Sequence, residues 1–213
     1  MEVTLFASGD SITKGKLASV CERPYAENTD VDPKVAECLH ISHLMEQADQ
    51  FDIIHNHFDF LPLSYSRLIK TPMVTTIHGF SSPEIIPVFK KYNSSSYYVS
   101  FSNSDRSPQL SYTAIVYNGI DTREFSFNAE SGETLLFFGR IHSEKGVSEA
   151  IEIAKKPNRK LLISGQIQDQ EYFAKKVNPY IDSQEIMYVG NSGPVERNKL
   201  MGGAYALLHP TGF

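Results

Sequence analysis

The segment GRIHSEKG, from Gly139 to Gly146, combines residue types that bind an anion. It follows the apolar run Thr134–Phe138 and precedes a segment with helical periodicity. Glycine lets the backbone approach a ligand closely, and the free amides at a helix start attract negative charge. Arg140 and Lys145 could clamp a diphosphate there. The segment is not a Walker loop, because no Gly-Lys-Ser/Thr follows, and a surface turn with a solvated Arg and Lys explains the spacing equally well.

A second group of polar residues follows the pattern H-x-H-x-D, from His55 to Asp59. In an extended chain these three side chains would share one face and could ligate a metal. Binuclear metallohydrolases continue this pattern with histidine, whereas Phe60 stands here. We therefore predict no metal, and interpret His55 and His57 as a polar strand end that lines a cleft; a metallohydrolase is the weakest alternative.

Apolar runs of strand length alternate with helical segments along the chain, which predicts a doubly wound α/β fold. Most runs are continuously apolar, as in strands buried on both faces of a parallel sheet. The predicted strands are Val3–Ala7, Phe51–His55, Met73–Ile77, Tyr97–Phe101, Thr113–Val116, Thr134–Phe138, Lys160–Ser164, Ile186–Val189 and Ala204–His209.

Three helices are predicted from periodicity and from their ends. One carries an apolar stripe of Val147, Ala150, Ile151 and Ala154, with Ser143 as its N-cap. A second helix is predicted to begin near Asp32–Pro33, with Val35, Leu39 and Met45 on its apolar side. A third is predicted to begin at Pro194, because proline is favoured at the first position of a helix. The polar segment Asp121–Glu133 breaks the rhythm and is interpreted as a linker between two similar units.

Composition excludes several classes of function. The 213 residues are 41% hydrophobic and 21% charged, which is enough apolar material for a globular core. The net charge is −5 and no basic run exceeds two residues, so we expect no nucleic-acid partner and no membrane-surface helix. No apolar stretch has the length of a membrane span, and the start lacks a secretory signal, which favours a cytoplasmic protein.

Several motifs in order resemble the large retaining glycosyltransferase family known as group 1 or family 4. The spacing of GR and KG is similar to the family's phosphate-binding turn. The other matching segments are FDIIHNH (51–57), TTIHGF (75–80), VYNGID (116–121), LLISGQ (161–166) and YVGNSGPVERNKLMGGAYALLHPTGF (188–213). The resemblance implies an α/β fold of GT-B type, with two Rossmann-like parallel-sheet units facing a cleft and both incomplete. Residues 1–122 would form an acceptor-side domain, and residues 123–213 the first half of the sugar-nucleotide-binding domain.

The same resemblance implies roles for particular residues. Arg140 and Lys145, with Gly139, would bind the donor diphosphate and offset the charge that develops on the leaving group. His78 would lie near the transferred sugar as a third catalytic residue. The remaining donor-binding positions would be Gly165 at a strand end, Val189 and Gly190 beside the nucleotide base, and Asn118 in an Asn-Gly turn. The family uses a nucleotide-diphosphate sugar as donor, such as a UDP-sugar, with a carbohydrate, lipid or small-molecule acceptor and no other cofactor.

The chain also departs from the family pattern. The family's first strand and glycine-rich loop would precede MEVTLFASGD, and its acidic donor-binding residues would follow ALLHPTGF. A missing first strand would expose strand edges at the centre of the N-terminal sheet, which self-association could cover. We interpret the chain as an inactive fragment of a hexosyltransferase-like enzyme rather than a natural short relative. The alternatives are a non-catalytic sugar-nucleotide-binding or assembly module and, less well, a sugar-nucleotide epimerase.

Overall fold

The computed structural model describes residues 1–25, 31–79 and 82–211. The chain divides into two compact units, unit 1 from Met1 to Gly119 and unit 2 from Ile120 to Phe213. Every strand pair in the described part of the chain is parallel, as the continuous apolar runs predict. Phe80 of the TTIHGF segment and the last two residues of the chain lie outside the described residues.

Unit 1 contains two separate sheets. Strands β1 and β2 form a pair, and the other four form a sheet in the order β3-β4-β5-β6. The strands are β1 Thr4–Phe6, β2 Lys16–Ala18, β3 Ile54–Asn56, β4 Met73–Ile77, β5 Tyr97–Ser100 and β6 Ala114–Ile115. Five of these lie in or overlap predicted runs; β2 was not predicted, because Lys16–Ala18 has no apolar run.

Unit 2 contains one sheet in the order β10-β7-β8-β9. Its strands are β7 Leu135–Phe138, β8 Leu161–Ser164, β9 Ile186–Tyr188 and β10 Ala206–Leu208, each inside a predicted run. The helices of both units are α1 Pro33–Met45, α2 Ile86–Tyr92, α3 Val147–Lys155, α4 Gln170–Tyr172 and α5 Pro194–Gly203. Helix α4 continues into a π-helical turn at Phe173–Val177. None of the helices in the described ranges has both the length and the apolarity that crossing a bilayer requires.

The first turns of α1 and α3 show how well a polar residue in the sequence predicts the start of a helix. The Asp32 side chain accepts hydrogen bonds from the backbone N–H groups of Lys34 and Val35 and caps α1, which begins where it was predicted. The prediction of Ser143 as N-cap was wrong. Ser143 lies inside a 3₁₀ turn that ends at Lys145, and α3 starts after Gly146 with no side-chain cap.

The apolar stripe of α3 forms the centre of the unit 2 core. Val147, Ala150, Ile151 and Ala154 are all fully buried, as their spacing predicted. They pack with the β-strand side chains in one cluster. In α1 the stripe differs from the prediction, because Val35 and Leu39 are more than half exposed while Ala36 and Ile41 are buried.

The polar segment Asp121–Glu133, predicted as a linker, packs on α5 of unit 2. Asn198 Oδ1 accepts from the backbone N–H of Ser126, and Asn128 donates to Gly202 O at 2.8 Å. The Arg197 guanidinium lies over the Phe125 ring at 4.5 Å. These contacts hold the start of unit 2 against its last helix.

Candidate functional site

Three glycines follow the adjacent strands β7, β8 and β9 of unit 2. Gly139 N–H donates to Ser164 O at 3.0 Å, and Gly165 N–H donates to Gly190 O at 2.9 Å. Gly165 has a φ of +155° and Gly190 a φ of +79°, which side chains other than glycine rarely adopt. A Cβ at Gly165 would overlap the carbonyl group of Gly139. The predicted residues Gly139, Gly165 and Gly190 therefore meet at the carboxyl edge of one sheet.

Arg140 extends from this edge. Its side chain is exposed, and Nη1 donates to Gln168 Oε1 at 2.8 Å. A parallel bridge between Ile141 and Ile167 holds the two segments side by side. Gln168 was not predicted as a site residue, because its position beside Arg140 depends on the pairing of β7 with β8, which spacing within one segment does not reveal.

Lys145 lies at the other end of the Gly139–Gly146 turn, immediately before α3. Its side chain is half-buried, and in the described ranges its ammonium has neither a hydrogen-bond partner nor a salt bridge. The next residue, Gly146, has a φ of +72°, and a Cβ there would overlap the Pro210 carbonyl. The turn thus presents a cation at the start of a nine-residue helix, whose N-terminus adds positive potential.

Side chains beneath the glycines fix the end of β9. Ser164 is fully buried, and its Oγ lies 3.0 Å from Gly190 O and 2.8 Å from Ser192 Oγ. The Tyr188 hydroxyl donates to Gly165 O at 2.8 Å, and burial raises the pKa of this phenol. The predicted residue Val189 is 45% exposed, and its N–H donates to Ile163 O, so its side chain stands at the surface.

Unit 1 gathers histidines at the carboxyl ends of β3 and β4. His57 Nδ1 and His78 Nε2 are 3.0 Å apart, so one of these nitrogens donates to the other. The rings of His55 and His57 have centroids 4.0 Å apart, and His55 Nε2 lies 2.8 Å from Thr76 Oγ1. His78 also stacks on Phe101. The predicted residue His78 is therefore part of a histidine cluster, which was not predicted from the sequence.

Burial and mutual repulsion shape the protonation of this cluster. Desolvation, followed by the charge of His78, lowers the pKa of His55. Desolvation, followed by the charges of His55 and His78, lowers the pKa of His57. Desolvation raises the pKa of the nearby Asp59 carboxyl. The neutral forms of the His55 and His57 imidazoles are thus favoured.

A turn at Asn56 determines where His57 points. Asn56 is buried; its Oδ1 accepts from Phe58 N–H, and its Nδ2 donates to Asp59 O and to Thr75 Oγ1. The chain leaves β3 at this residue, so His57 and Asp59 lie beyond the strand that carries His55. In the described part of the chain no group of three His, Cys, Asp or Glu side chains could hold a metal ion.

Asn118 lies apart from the other predicted residues. It is exposed in the segment that ends unit 1, and neither it nor Gly119 forms part of a defined turn. Among residues 1–25, 31–79 and 82–211 its side chain makes no hydrogen bond. The structure therefore brings six predicted residues to one edge of unit 2 and leaves His78 in the histidine cluster of unit 1.

Comparisons with known proteins give the fold. No protein-family model matches the chain, and no curated protein matches it. Among solved structures it resembles AviGT4, a glycosyltransferase involved in avilamycin A biosynthesis, at 20% identity over 83% of this chain and 50% of that one, with a TM-score of 0.54. It resembles TarM at 14% identity over 85% and 40% of the two chains, with a TM-score of 0.57. It resembles the apo lipopolysaccharide outer core galactosyltransferase WaaB at 14% identity over 99% and 64%, with a TM-score of 0.53.

These likenesses establish an α/β fold with Rossmann-like parallel sheets of the GT-B glycosyltransferase type, as the sequence resemblance implied. The chain spans between 40% and 64% of the length of these structures.

Proposed function

We propose that this chain belongs to a retaining glycosyltransferase and carries the donor-diphosphate site of that enzyme in unit 2. The observation that supports the proposal is the meeting of Gly139, Gly165 and Gly190 beside Arg140 and Lys145 at one sheet edge. Ligands of open α/β sheets bind at the carboxyl ends of the strands. The fold shared with glycosyltransferases agrees with this assignment.

Side chains would carry most of the diphosphate binding. The N–H groups of Gly139 and Gly165 already donate to Ser164 O and Gly190 O, so they are not available to the donor. Arg140 and Lys145 remain as charge-assisted donors, aided by the start of α3. The glycines would instead keep side chains out of the space that the nucleotide enters.

The proposed reaction retains the configuration at the anomeric carbon. The acceptor oxygen would bond to that carbon on the face from which the diphosphate departs, and the acceptor's proton would pass to the departing oxygen. Arg140 and Lys145 would stabilise the negative charge that forms on the diphosphate, the largest electrostatic demand of such a step. His78, held by His57, would hydrogen-bond the transferred sugar.

Calorimetric titration of the chain with UDP, GDP and ADP tests the site. Arg140→Ala and Lys145→Ala should each weaken binding of the preferred diphosphate by about 10- to 100-fold, since a hydrogen bond to a charged group contributes about 1.5–3 kcal/mol. Lys156→Ala is the matched control, because this exposed lysine lies at the opposite end of α3. The Lys156→Ala variant should bind the diphosphate as tightly as the parent chain. Unchanged affinity in both site variants would contradict the proposal.

A non-catalytic sugar-nucleotide-binding module is the second candidate. The observation that favours it is that Arg140 and Lys145 can bind a diphosphate without any transfer of the sugar. Two assays on the longest natural form of the protein distinguish the enzyme from the module. One measures donor turnover, and the other determines the anomeric configuration of the product. Transfer with retention supports the enzyme, whereas tight nucleotide binding without turnover supports the module.

A further inference from the structure

A polar cavity of about 250 Å³ lies at the amino-terminal end of β5 in unit 1. It opens between the loop that joins α2 to β5 and the segment that leads into β6. An asparagine and two tyrosines form part of its lining, and among the described residues none that lines it carries a formal charge. We call it the hydroxyl cavity, because the rest of its lining consists of Ser94, Ser95, Ser96, Ser111 and Thr113.

The hydroxyl cavity is separate from the histidine cluster of unit 1. Tyr97 lines the cavity and is the first residue of β5, whereas His78 stacks on Phe101, which follows the last residue of β5. Since a strand rises about 3.3 Å per residue, the two ends of β5 hold these places about 13 Å apart. A ligand in the cavity therefore does not contact the histidines.

Hydrogen bonds fix the walls of the cavity. Asn93 joins the loop after α2 to the segment before β6, because its Nδ2 donates to Ser111 O at 2.9 Å and its Oδ1 accepts from Ser111 N–H at 2.7 Å. Within the loop, Ser95 Oγ lies 3.2 Å from Ser66 Oγ. The cavity is thus formed before any ligand arrives, as most small-molecule sites are.

One hydroxyl of the lining has no partner. Ser96 is only 6% exposed. Among residues 1–25, 31–79 and 82–211, no group forms a hydrogen bond with its buried Oγ. Buried hydroxyls are nearly always hydrogen-bonded, because an unpaired one has lost the bonds that it made to water. A ligand hydroxyl in the cavity would supply the missing partner once the Ser96 side chain turns about its Cα–Cβ bond.

An aromatic ring beside the cavity is also free. Tyr97 is 55% exposed, and in the part of the chain that the structure describes no cation or second ring packs on it. Its neighbours differ, because Arg67 lies over the Tyr92 ring at 5.4 Å. Arg106 likewise lies over the Tyr112 ring at 4.9 Å. Tyr97 therefore presents an open face on which the C–H groups of a sugar ring can pack.

From the unpaired hydroxyl and the open ring we propose that the hydroxyl cavity binds a single neutral sugar residue, at a site other than the donor site of unit 2. Sugar hydroxyls both donate and accept, as serine and threonine hydroxyls do. The uncharged lining offers no counter-charge to a phosphate, so a nucleotide sugar is not the ligand. The volume lies just below the range of about 300–1,000 Å³ that drug-sized ligands occupy, which suits one sugar ring rather than a chain.

Titration of the 213-residue chain with glucose, galactose, mannose and N-acetylglucosamine, followed by NMR of the backbone amides, tests the proposal. One of these sugars should shift the Ser96 and Tyr97 amides saturably, with a dissociation constant of about 1–10 mM, as expected of a few neutral hydrogen bonds. Glycerol has hydroxyls but no ring and should shift these amides much less. Equal shifts with glycerol, which would indicate an adventitious additive only, or no shift with any of the sugars, would overturn the proposal.

Two variants test the groups that carry the proposal. Ser96→Ala should weaken sugar binding by about two- to tenfold, the equivalent of one neutral hydrogen bond, without lowering the stability of unit 1. Tyr97→Ala should weaken binding by about fivefold, because the sugar loses its aromatic face. Tyr180→Ala is the matched control, since this tyrosine of unit 2 is 41% exposed, and it should bind the sugar as the parent does. Unchanged affinity in both Ser96→Ala and Tyr97→Ala would overturn the proposal.

The outcome is independent of the donor site. No nucleotide is present in these titrations, and Arg140→Ala should leave the sugar affinity unchanged. Sugar-induced shifts confined to His57 and His78 would place the sugar at the histidine cluster and would overturn the proposal.

Discussion

The sheet of unit 2 runs without a break through β10, β7, β8 and β9, whereas the strands of unit 1 divide into a pair and a group of four. The sites at the two carboxyl edges differ in the same way. In unit 2 closely packed glycine backbone shapes the edge beside which Arg140 and Lys145 lie, and it leaves little freedom. In unit 1 side chains form the site, through histidines that hydrogen-bond and pack ring against ring.

This difference indicates how each site responds to change. A site made of close-packed backbone tolerates no added atom, but it is insensitive to pH because its groups do not titrate. A site made of imidazoles tolerates conservative substitution, but its hydrogen bonds depend on which nitrogens carry protons. We therefore expect substitutions to affect unit 2 more severely and acid to affect unit 1.

The largest effect should come from Gly165→Ala. The new Cβ would overlap the Gly139 carbonyl, and the φ of +155° is unfavourable for alanine. Backbone strain and overpacking should together lower the free energy of unfolding of unit 2 by about 3 kcal/mol or more. Urea denaturation followed by hydrogen exchange at the Ile163 amide measures this loss.

Gly193→Ala is the control for that experiment. Gly193 has a φ of −70°, and a Cβ there would meet nothing within 4 Å. Its stability should stay within about 0.5 kcal/mol of the parent. If the two variants were equally stable, the close backbone contact at Gly165 would not exist.

A smaller loss is expected for Ser164→Ala. This buried hydroxyl links the end of β8 to Gly190 O and Ser192 Oγ, and both partners would lose that contact. The free energy of unfolding of unit 2 should fall by about 1–3 kcal/mol. Ser192→Ala removes only one of the two contacts and should cost less. The reverse order of the two variants would contradict the geometry at this edge.

The smallest predicted effect is the pH dependence of unit 1. Burial and neighbouring histidines lower the pKa of His55 and of His57 below 6.5, so the unfolded chain binds more protons than the folded chain once the pH falls below that value. Stability of unit 1 should therefore decrease as the pH falls through about 6.5 towards the lowered pKa values, and then level off. The opposing contribution comes from Asp59, whose raised pKa favours the folded state in acid.

In the His57→Asn variant the stability of unit 1 should fall less steeply as the pH is lowered. Hydrogen exchange at the Tyr98 amide, in the core of unit 1, measures this stability. His209→Asn, in unit 2, is the control and should leave the acid dependence of Tyr98 unchanged. An acid loss as steep in His57→Asn as in the parent would show that His57 does not titrate as its surroundings predict.

Much of this arrangement could be predicted from the sequence, because the relevant signals are local. Apolar runs located nine of the ten strands found in residues 1–25, 31–79 and 82–211, and the stripe from Val147 to Ala154 located the helix at the centre of the unit 2 core. The order of the residues also placed Gly139 and Arg140 at a strand end and Lys145 just before a helix.

The features that were missed depend on contacts between distant residues. His57 and His78 are 21 residues apart, and only the pairing of β3 with β4 brings their rings together. Gln168 reaches Arg140 for the same reason, across β7 and β8. The wrong N-cap at Ser143 shows a further limit, because the left-handed Gly146 starts α3 without any side-chain cap.

Unit 2 is proposed to hold the donor diphosphate at the sheet edge where Gly139, Gly165 and Gly190 meet. Amide hydrogen exchange measured with and without UDP, GDP or ADP tests this proposal most directly. With the nucleotide that binds, exchange should slow at Arg140 and at the first residues of α3, and Arg140→Ala together with Lys145→Ala should abolish this protection. Protection confined to the histidine cluster of unit 1, or protection that survives loss of both cations, would contradict the account.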